Sequence, residues 1–547
     1  MCDRLKERVG IANEEGVPGV KVQAPEPLDK EYIHSYGRFC LVGDCKEVYR
    51  GSEESMRKAT TPSFILTLKL NTSKQDGDIL EHRFACANRI YNVLVRHARK
   101  QVQKLRQDKN YWELMGLVGE VGESAYKREI SKQLSEIRLS YGLSEYKFHS
   151  FVAEQQHKYK KDIDANTAQK IATTAWQACE KALFGGGKEI HFRRLDDLRS
   201  MEGKSNASGI RFKGGRLFWN GLVIQPQIRK GDSYAREALK NRVKYCRIQR
   251  KPVGSGWHYY LQLILEGTPP QKHIFPDGRV GIDIGTSTVA AASEGDCILE
   301  ELGADVEQHT REIDRIQRAM DRSRRATNPA NFNKDGTAKK GHRKWVRSKG
   351  YQKLRQRKRV LERKISDTLK QSHEAQADHI LSMGTEIYVE DMNFSALAKK
   401  AKETQKNGKG RFKRRGRFGK TIRRHAPAKL IGVIERKLSY RDGCLHRVDT
   451  WSFKASQYNH EDDLYEKKPL EKRTTCIGDR VIQRDLYSAF LLMNSRNDLK
   501  STDRARCIET FPGFLEAYNR WYEKTVDTGK KLPSSAGIRQ LVTTKAA

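Results

Sequence analysis

The chain has no apolar run long enough to cross a bilayer, no C-x-x-C pair and no dense cysteine framework. The first absence excludes a helical membrane span, which takes about 20 consecutive apolar residues. The N-terminal text also has no signal-peptide-like apolar region, so a cytoplasmic protein is expected. Ten cysteines scattered over 547 residues suit a reducing compartment better than a disulfide scaffold. Cys40 and Cys45 have the spacing of half a zinc site, but no second pair lies near them. Acidic residues are also in short supply: 68 Asp and Glu face 105 Lys and Arg, a net charge of +37. An excess of this size opposes compaction unless a polyanion neutralises it, and it points to a nucleic-acid partner. The protein is therefore expected to be more stable with RNA or DNA bound. The length implies three or more domains.

Residues 1–61 mix charge, Gly and Pro with little periodicity and read as an N-terminal extension. From Pro62 the text changes. Phe64, Leu66, Leu68 and Leu70 alternate with Ile65, Thr67 and Lys69, which predicts a strand. A helix is expected from about Glu81, with Phe84, Ile90, Tyr91, Leu94 and Val95 on its apolar stripe, and helical patterns continue to about Leu183. Gly185, Gly186 and Gly187 break the chain. FGGGKE lacks the first glycine of a phosphate loop and a hydroxyl after Lys188, so it reads as a linker. Residues 205–275 predict β structure: Asn220-Gly221 is a hairpin signal, and Trp257, Tyr259, Leu261, Leu263 and Leu265 share one face. A small β-barrel, split in sequence by a helical insertion, accounts for both β segments.

Two long basic helices are expected, Asp305 to about Arg325 and about Tyr351 to Leu381, the second with Leu354, Leu361, Ile365 and Leu369 on its buried stripe. Arg322, Arg324, Arg325, Lys353, Arg355, Arg357 and Arg359 lie on their other faces, where they can follow a phosphate backbone. Residues 399–425 are rich in Lys, Arg and Gly and cannot bury a core. Arg411, Arg414, Arg415, Arg417, Arg423 and Arg424 in this stretch are candidate nucleic-acid contacts. A helix from Pro427 to Leu438, a strand-like CLHRVDTWSFKAS, and an amphipathic helix with Phe511, Phe514, Tyr518 and Trp521 inward complete the reading.

Three acidic segments carry the chemistry. GRVGIDIG places Asp283 within a strand, where a carboxylate is costly to bury unless it meets a cation or a donor. IYVE places Glu390 at the end of a strand with Asp391 next to it, and only one of the two can face a given side. QRDLYSAF starts a helix at Asp485, whose bland role is that of an N-cap. Carboxylates are the ligands that a hard divalent cation prefers, and acidic ligands in a strongly basic chain suit cutting of nucleic acid.

In this order, GIDIGTS, VEDMNF and RDLYSAF resemble the three RuvC motifs of TnpB proteins and compact type V CRISPR effector nucleases. The resemblance covers about residues 62–500. It implies a multidomain α+β protein: a wedge β-barrel (62–80 and 190–275), an inserted helical recognition lobe (81–189), an RNase H-like RuvC domain of mixed sheet and helices (276–455 and 481–510), an insertion at 456–480 and a C-terminal tail (511–547). It also implies that Asp283, Glu390 and Asp485 are catalytic and hold two Mg²⁺ ions. The implied partners are a guide RNA and double-stranded target DNA, with the chain acting as a monomer or as a homodimer on one RNA, near the bacterial nucleoid. Two departures stand out. The four-Cys zinc ribbon of TnpB has no counterpart after Ser456-Gln457, where Tyr458, Asn459 and His460 follow and Cys476 alone remains, so 456–480 is expected to fold without zinc. Tyr487 stands where the family has Asn. Two other readings stay open: a guided DNA-binding protein that does not cut, and an actin-like or sugar-kinase ATPase, since those enzymes also use D-x-G-T-S/T.

Overall fold

The computed structural model describes residues 61–547, apart from 121–123, 185–188, 272, 335, 400–417, 470, 528–535, 539–540 and 542–547. The extension 1–60, the Cys40/Cys45 pair and the glycine run lie outside the described residues. The described chain divides into two units, 61–270 and 271–547, and no described helix is long and apolar enough to cross a membrane.

In the first unit, β1 (Ser63–Leu70) buries alternate residues Phe64, Leu66, Leu68 and Leu70. The long helices are α1 (Lys74–Leu105), α2 (Lys109–Glu120), α3 (Ser124–Ser140), α4 (Glu145–His157) and α5 (Ala165–Leu183), and a short one spans Ser233–Ala238. α1 begins seven residues before the expected Glu81. Ser73 and Asp76 form a reciprocal capping box, which satisfies the first backbone donors and lets the helix run through Gly77. The strands β2 (Ser200–Glu202), β3 (Arg211–Lys213), β4 (Arg216–Trp219), β5 (Leu222–Ile224), β6 (Pro226–Gln227), β7 (Val243–Val253) and β8 (Gly256–Glu266) follow. They form a five-stranded sheet, β2-β7-β8-β1-β6, and a three-stranded one, β3-β4-β5. β1 pairs antiparallel with β8 from Ser63↔Glu266 to Lys69↔Tyr260, so the chain leaves this sheet for the helices and returns to it. Asn220 (φ 42°) and Gly221 (φ 77°) make the β4–β5 turn, the left-handed pair that a two-residue hairpin needs.

Some of this unit's basic charge is structural. Arg250 is fully buried, with its guanidinium 4.4 Å from the Phe84 ring centre and 4.3 Å from that of Trp257. It donates to the carbonyls of Leu195 and Leu198, and burial lowers its pKa to about 10. Arg83 is buried as well and donates to the carbonyls of Trp219 and Asn220, each at 2.7 Å.

In the second unit, β9 (Arg279–Ile284), β10 (Thr288–Ala292) and β11 (Cys297–Glu301) form an antiparallel meander. α6 (Glu307–Thr327) and α7 (Lys349–Leu381) lead to β12 (Glu386–Glu390). α8 (Gly419–His425) and α9 (Pro427–Leu438) lead to β13 (Cys444–Val448). β12 and β13 join in parallel, giving the order β11-β10-β9-β12-β13. TWSF, expected as strand, is instead a helical turn (Thr450–Phe453) that Asp449 caps from its side chain. Two hairpins come next: β14 (Tyr458–Asn459) with β15 (Leu464–Tyr465), and β16 (Thr474–Ile477) with β17 (Arg480–Gln483). α10 (Arg484–Met493) and α11 (Arg504–Asp527) close the unit.

The five-stranded sheet is packed on both faces. Val280, Ile282, Ile284, Ile387 and Val389 meet Ala377, Ile380 and Leu381 of α7 and Leu430, Ile434 and Leu438 of α9. On the opposite face Ala290, Ala292, Leu299 and Tyr388 meet α10 together with Phe511, Phe514 and Tyr518 of α11. Residues 511–527 therefore belong to the same core as α10.

Gly281 brings α10 onto the sheet. A β-carbon there would lie 1.9 Å from the Ala489 carbonyl oxygen and 2.4 Å from the Met493 amide nitrogen. Both atoms are helix backbone and cannot swing away as a side chain would. Gly281→Ala is expected to destabilise the unit by about 1–3 kcal/mol or more and to lower the melting temperature by several degrees. An unchanged melting curve would mean that α10 does not rest on this strand.

Candidate active site

The two-residue alternation of β9 sends Gly281 and Asp283 to the α10 side, opposite Ile282 and Ile284. Asp283 is in register with Ala290, a residue of the α10-side core. The same parity settles which acid of β12 shares that side. Tyr388 packs in the α10-side core and Val389 in the other, so Glu390 follows Tyr388. Asp391 is 69% exposed, and its carboxylate lies 3.6 Å from Arg447 Nη1. The parallel register Val389↔Ile282 sets Glu390 beside Asp283.

Asp485 occupies the second position of α10 and is not spent as a cap. Gln483 is the cap, its side-chain oxygen accepting from the Leu486 amide at 2.7 Å. One Asp485 oxygen lies 3.7 Å from Arg484 Nε and 3.9 Å from Arg473 Nη1. Arg484 is buried and donates to the carbonyls of Pro469 (3.3 Å) and Lys472 (3.1 Å), which ties Lys472, the neighbour of Arg473, to α10.

Asp283 feels the other two carboxylates. Burial pushes Asp283 well above the usual carboxylate range, and the negative charges of Asp485 and Glu390 push it further, against the pull of Arg484 and Arg473. Burial alone pushes Glu390 up to about 7. Neither carboxylate accepts a hydrogen bond from a described residue. Hard oxygen ligands that are half-buried, mutually repelling and unpartnered suit a divalent cation, which would remove the repulsion and hold them ionised.

Sequence reasoning missed the two arginines. Arg484 adjoins Asp485 and was open to notice. Arg473 arrives through the β16–β17 hairpin, for which the text has no sign. The Tyr487 hydroxyl accepts from the His460 amide (3.1 Å) and bonds His460 Nδ1 (2.7 Å). His460 is buried against Phe490 and Phe511, and burial, then Arg504, lowers its pKa to about 4. The segment that follows Ser456-Gln457 is thus anchored to α10 by a neutral imidazole and a phenol.

The basic candidates divide. Arg322 and Arg423 are exposed and Arg355 is half-buried. Arg324 sits over the Trp345 ring at 4.7 Å and Arg325 over Phe332 at 5.5 Å. Arg357 pairs with Glu312. Arg424 and Lys420 share Asp314 at 2.6 and 2.7 Å, and Lys420 foremost holds that carboxyl below its usual range. Arg411, Arg414, Arg415 and Arg417 lie outside the described residues.

No protein-family model matches this chain, and no curated protein matches it. Among solved structures, it is similar to a chain of a cryo-EM Cas12f1–sgRNA–target DNA complex, at 10% identity and a TM-score of 0.40, over 79% of this chain and 99% of that one. It is also similar to a chain of a cryo-EM CRISPR-Cas12f ternary complex, at 14% identity and a TM-score of 0.24, with the same coverage.

Proposed function

We propose that the chain is an RNA-guided DNA endonuclease that cuts phosphodiester bonds at a RuvC-type site. The observation that carries this reading is the convergence of Asp283, Glu390 and Asp485, from three distant segments, on one side of a single sheet, with Asp283 raised first by burial and then by the charges of Asp485 and Glu390. The strand order β11-β10-β9-β12-β13, an antiparallel meander extended by two parallel strands, supports an RNase H-like assignment. The return of the chain from β1 through the helices to β8 supports a wedge with an inserted recognition lobe.

In this reading Asp283, Glu390 and Asp485 hold two Mg²⁺ ions, which supply activation of water and neutralisation of charge at the leaving oxygen. Arg484 and Arg473 orient Asp485 and moderate the negative charge of the site. The paired opening of β9 and β12 keeps Asp283 and Glu390 in fixed relation. The net charge of +37 supports guide RNA and target DNA as partners, with the guide reading sequence and the protein reading backbone shape and a short flanking motif.

The test is to purify the protein with whatever nucleic acid it retains and sequence it. A discrete RNA species is expected. The complex should cut DNA that matches its variable segment only when Mg²⁺ is present, with binding that weakens steeply as salt rises. A protein that carries no discrete RNA sinks the guided reading.

A further inference from the structure

Outside the acidic site, one group of soft and borderline ligands stands in the first unit. His82 and Cys86 are four residues apart on α1 and so share one face of the helix. Asp162 reaches them from the connection between α4 and α5. The ligand atoms of all three lie within 4.8 Å of one another. Cys86 Sγ is 3.6 Å from His82 Nε2, and His82 Nε2 is 3.3 Å from an Asp162 oxygen.

These spacings have a specific meaning. Zinc bonds of about 2.3 Å to sulfur and about 2.0–2.1 Å to nitrogen or oxygen, at the tetrahedral angle, put sulfur about 3.6 Å from nitrogen and nitrogen about 3.3–3.4 Å from oxygen. An ordinary N–H···O hydrogen bond is shorter, at about 2.7–3.2 Å. The two distances match edges of a coordination tetrahedron; the first is also the length of a sulfur hydrogen bond, while the His–Asp separation is long for a direct hydrogen bond.

The loop that carries Asp162 is held in place from several sides. The amides of Asp162 and Ile163 both donate to the Tyr159 carbonyl, at 2.9 and 2.8 Å. Gln156 Nε2 donates to the Ile163 carbonyl at 2.8 Å. Asp164 caps α5 and accepts from Trp219 Nε1 at 2.9 Å. Cys86 is almost fully buried while His82 is 61% exposed on its side chain, so the ligands are fixed from within and open to an entering ion from outside.

We infer that His82, Cys86 and Asp162 form a three-ligand binding site for a zinc-like divalent cation, which ties α1 to the α4–α5 connection. The Cys86 thiol releases its proton to solvent on binding, His82 coordinates through Nε2 with its remaining proton on Nδ1, and a water fills the fourth position. This inference does not rest on the nuclease reading.

Co²⁺ reports the site directly, because a thiolate–cobalt bond gives a charge-transfer band that carboxylate-bound cobalt does not. The experiment uses the full chain with Cys40→Ser and Cys45→Ser, which removes the other cysteine pair. One Co²⁺ per chain should bind with a thiolate band and tetrahedral visible bands, and Zn²⁺ should displace it and raise the melting temperature. Cys179→Ser, at a buried cysteine of the same unit, should leave the band intact. Cys86→Ser should abolish it. His82→Asn, at a position 61% exposed on its side chain, should weaken binding by more than about 100-fold, beyond what loss of a supporting contact costs. Absence of the band from the parent protein overturns the inference, and so does its survival in Cys86→Ser or an unchanged Co²⁺ affinity in His82→Asn.

Discussion

Asp283→Ala is expected to reduce Mg²⁺-dependent cleavage of guide-matched DNA by about a thousandfold or more, the several kcal/mol that a metal-held transition state is worth. Guide RNA and target affinity should change little, since Asp283 lies half-buried between strand and helix rather than among the exposed arginines. The substitution also removes an unpartnered carboxylate whose burial is unfavourable, so the metal-free variant should melt at a higher temperature than the parent. Loss of activity with a gain of stability is the mark of a site where function opposes folding. Asp391→Ala, at the exposed acid paired with Arg447, is the control and should cut almost normally. The measurements are single-turnover cleavage, target binding by mobility shift, and thermal melting. If the parent protein binds its target as well as Asp283→Ala does and neither cuts, the non-cutting guided binder replaces the nuclease.

The second large effect is that of pH on Mg²⁺ stabilisation. Asp283 is raised above the ordinary carboxylate range and Glu390 to about 7. The metal-free native state therefore holds protons that the unfolded chain has already released. The sign follows: these groups favour the native state fully below the ordinary carboxylate range, and the Glu390 share of that advantage is lost as pH rises through about 7. Mg²⁺ competes for the same oxygens and binds their ionised form. Its effect on the melting temperature should be near zero at about pH 5.5 and large at about pH 8, reaching the equivalent of roughly 2.7 kcal/mol at a hundredfold excess over its Kd. The cleavage rate should rise over the same interval. Glu390→Gln should remove the part of the dependence centred near pH 7. A Mg²⁺ shift of equal size at both pH values would show that the ion does not bind these carboxylates.

Much of the fold was legible because it rests on local rules. β1 alternates in the text and alternates in burial, Asn220-Gly221 makes its turn, and α7 and α9 lie within two residues of their expected limits. The errors also have local causes. The capping box at Ser73 carried α1 past Gly77, and Asp449 capped a helical turn where strand was expected.

The sequence by itself determined the chemistry available: a chain of net charge +37 with three carboxylates, each placed by an apolar segment of definite period. It could also say that only one of Glu390 and Asp391 faces a given side, since strand alternation is a property of the backbone. Which one was decided by tertiary structure, through Tyr388 and Val389 falling in opposite cores. Tertiary structure likewise seated α10 on Gly281, freed Asp485 from capping, and brought Arg473 to it. The reason is range. Periodicity and capping act over a few residues, whereas the ionisation of Asp283 depends on charges contributed from more than a hundred residues away in the chain, and only packing sets those distances.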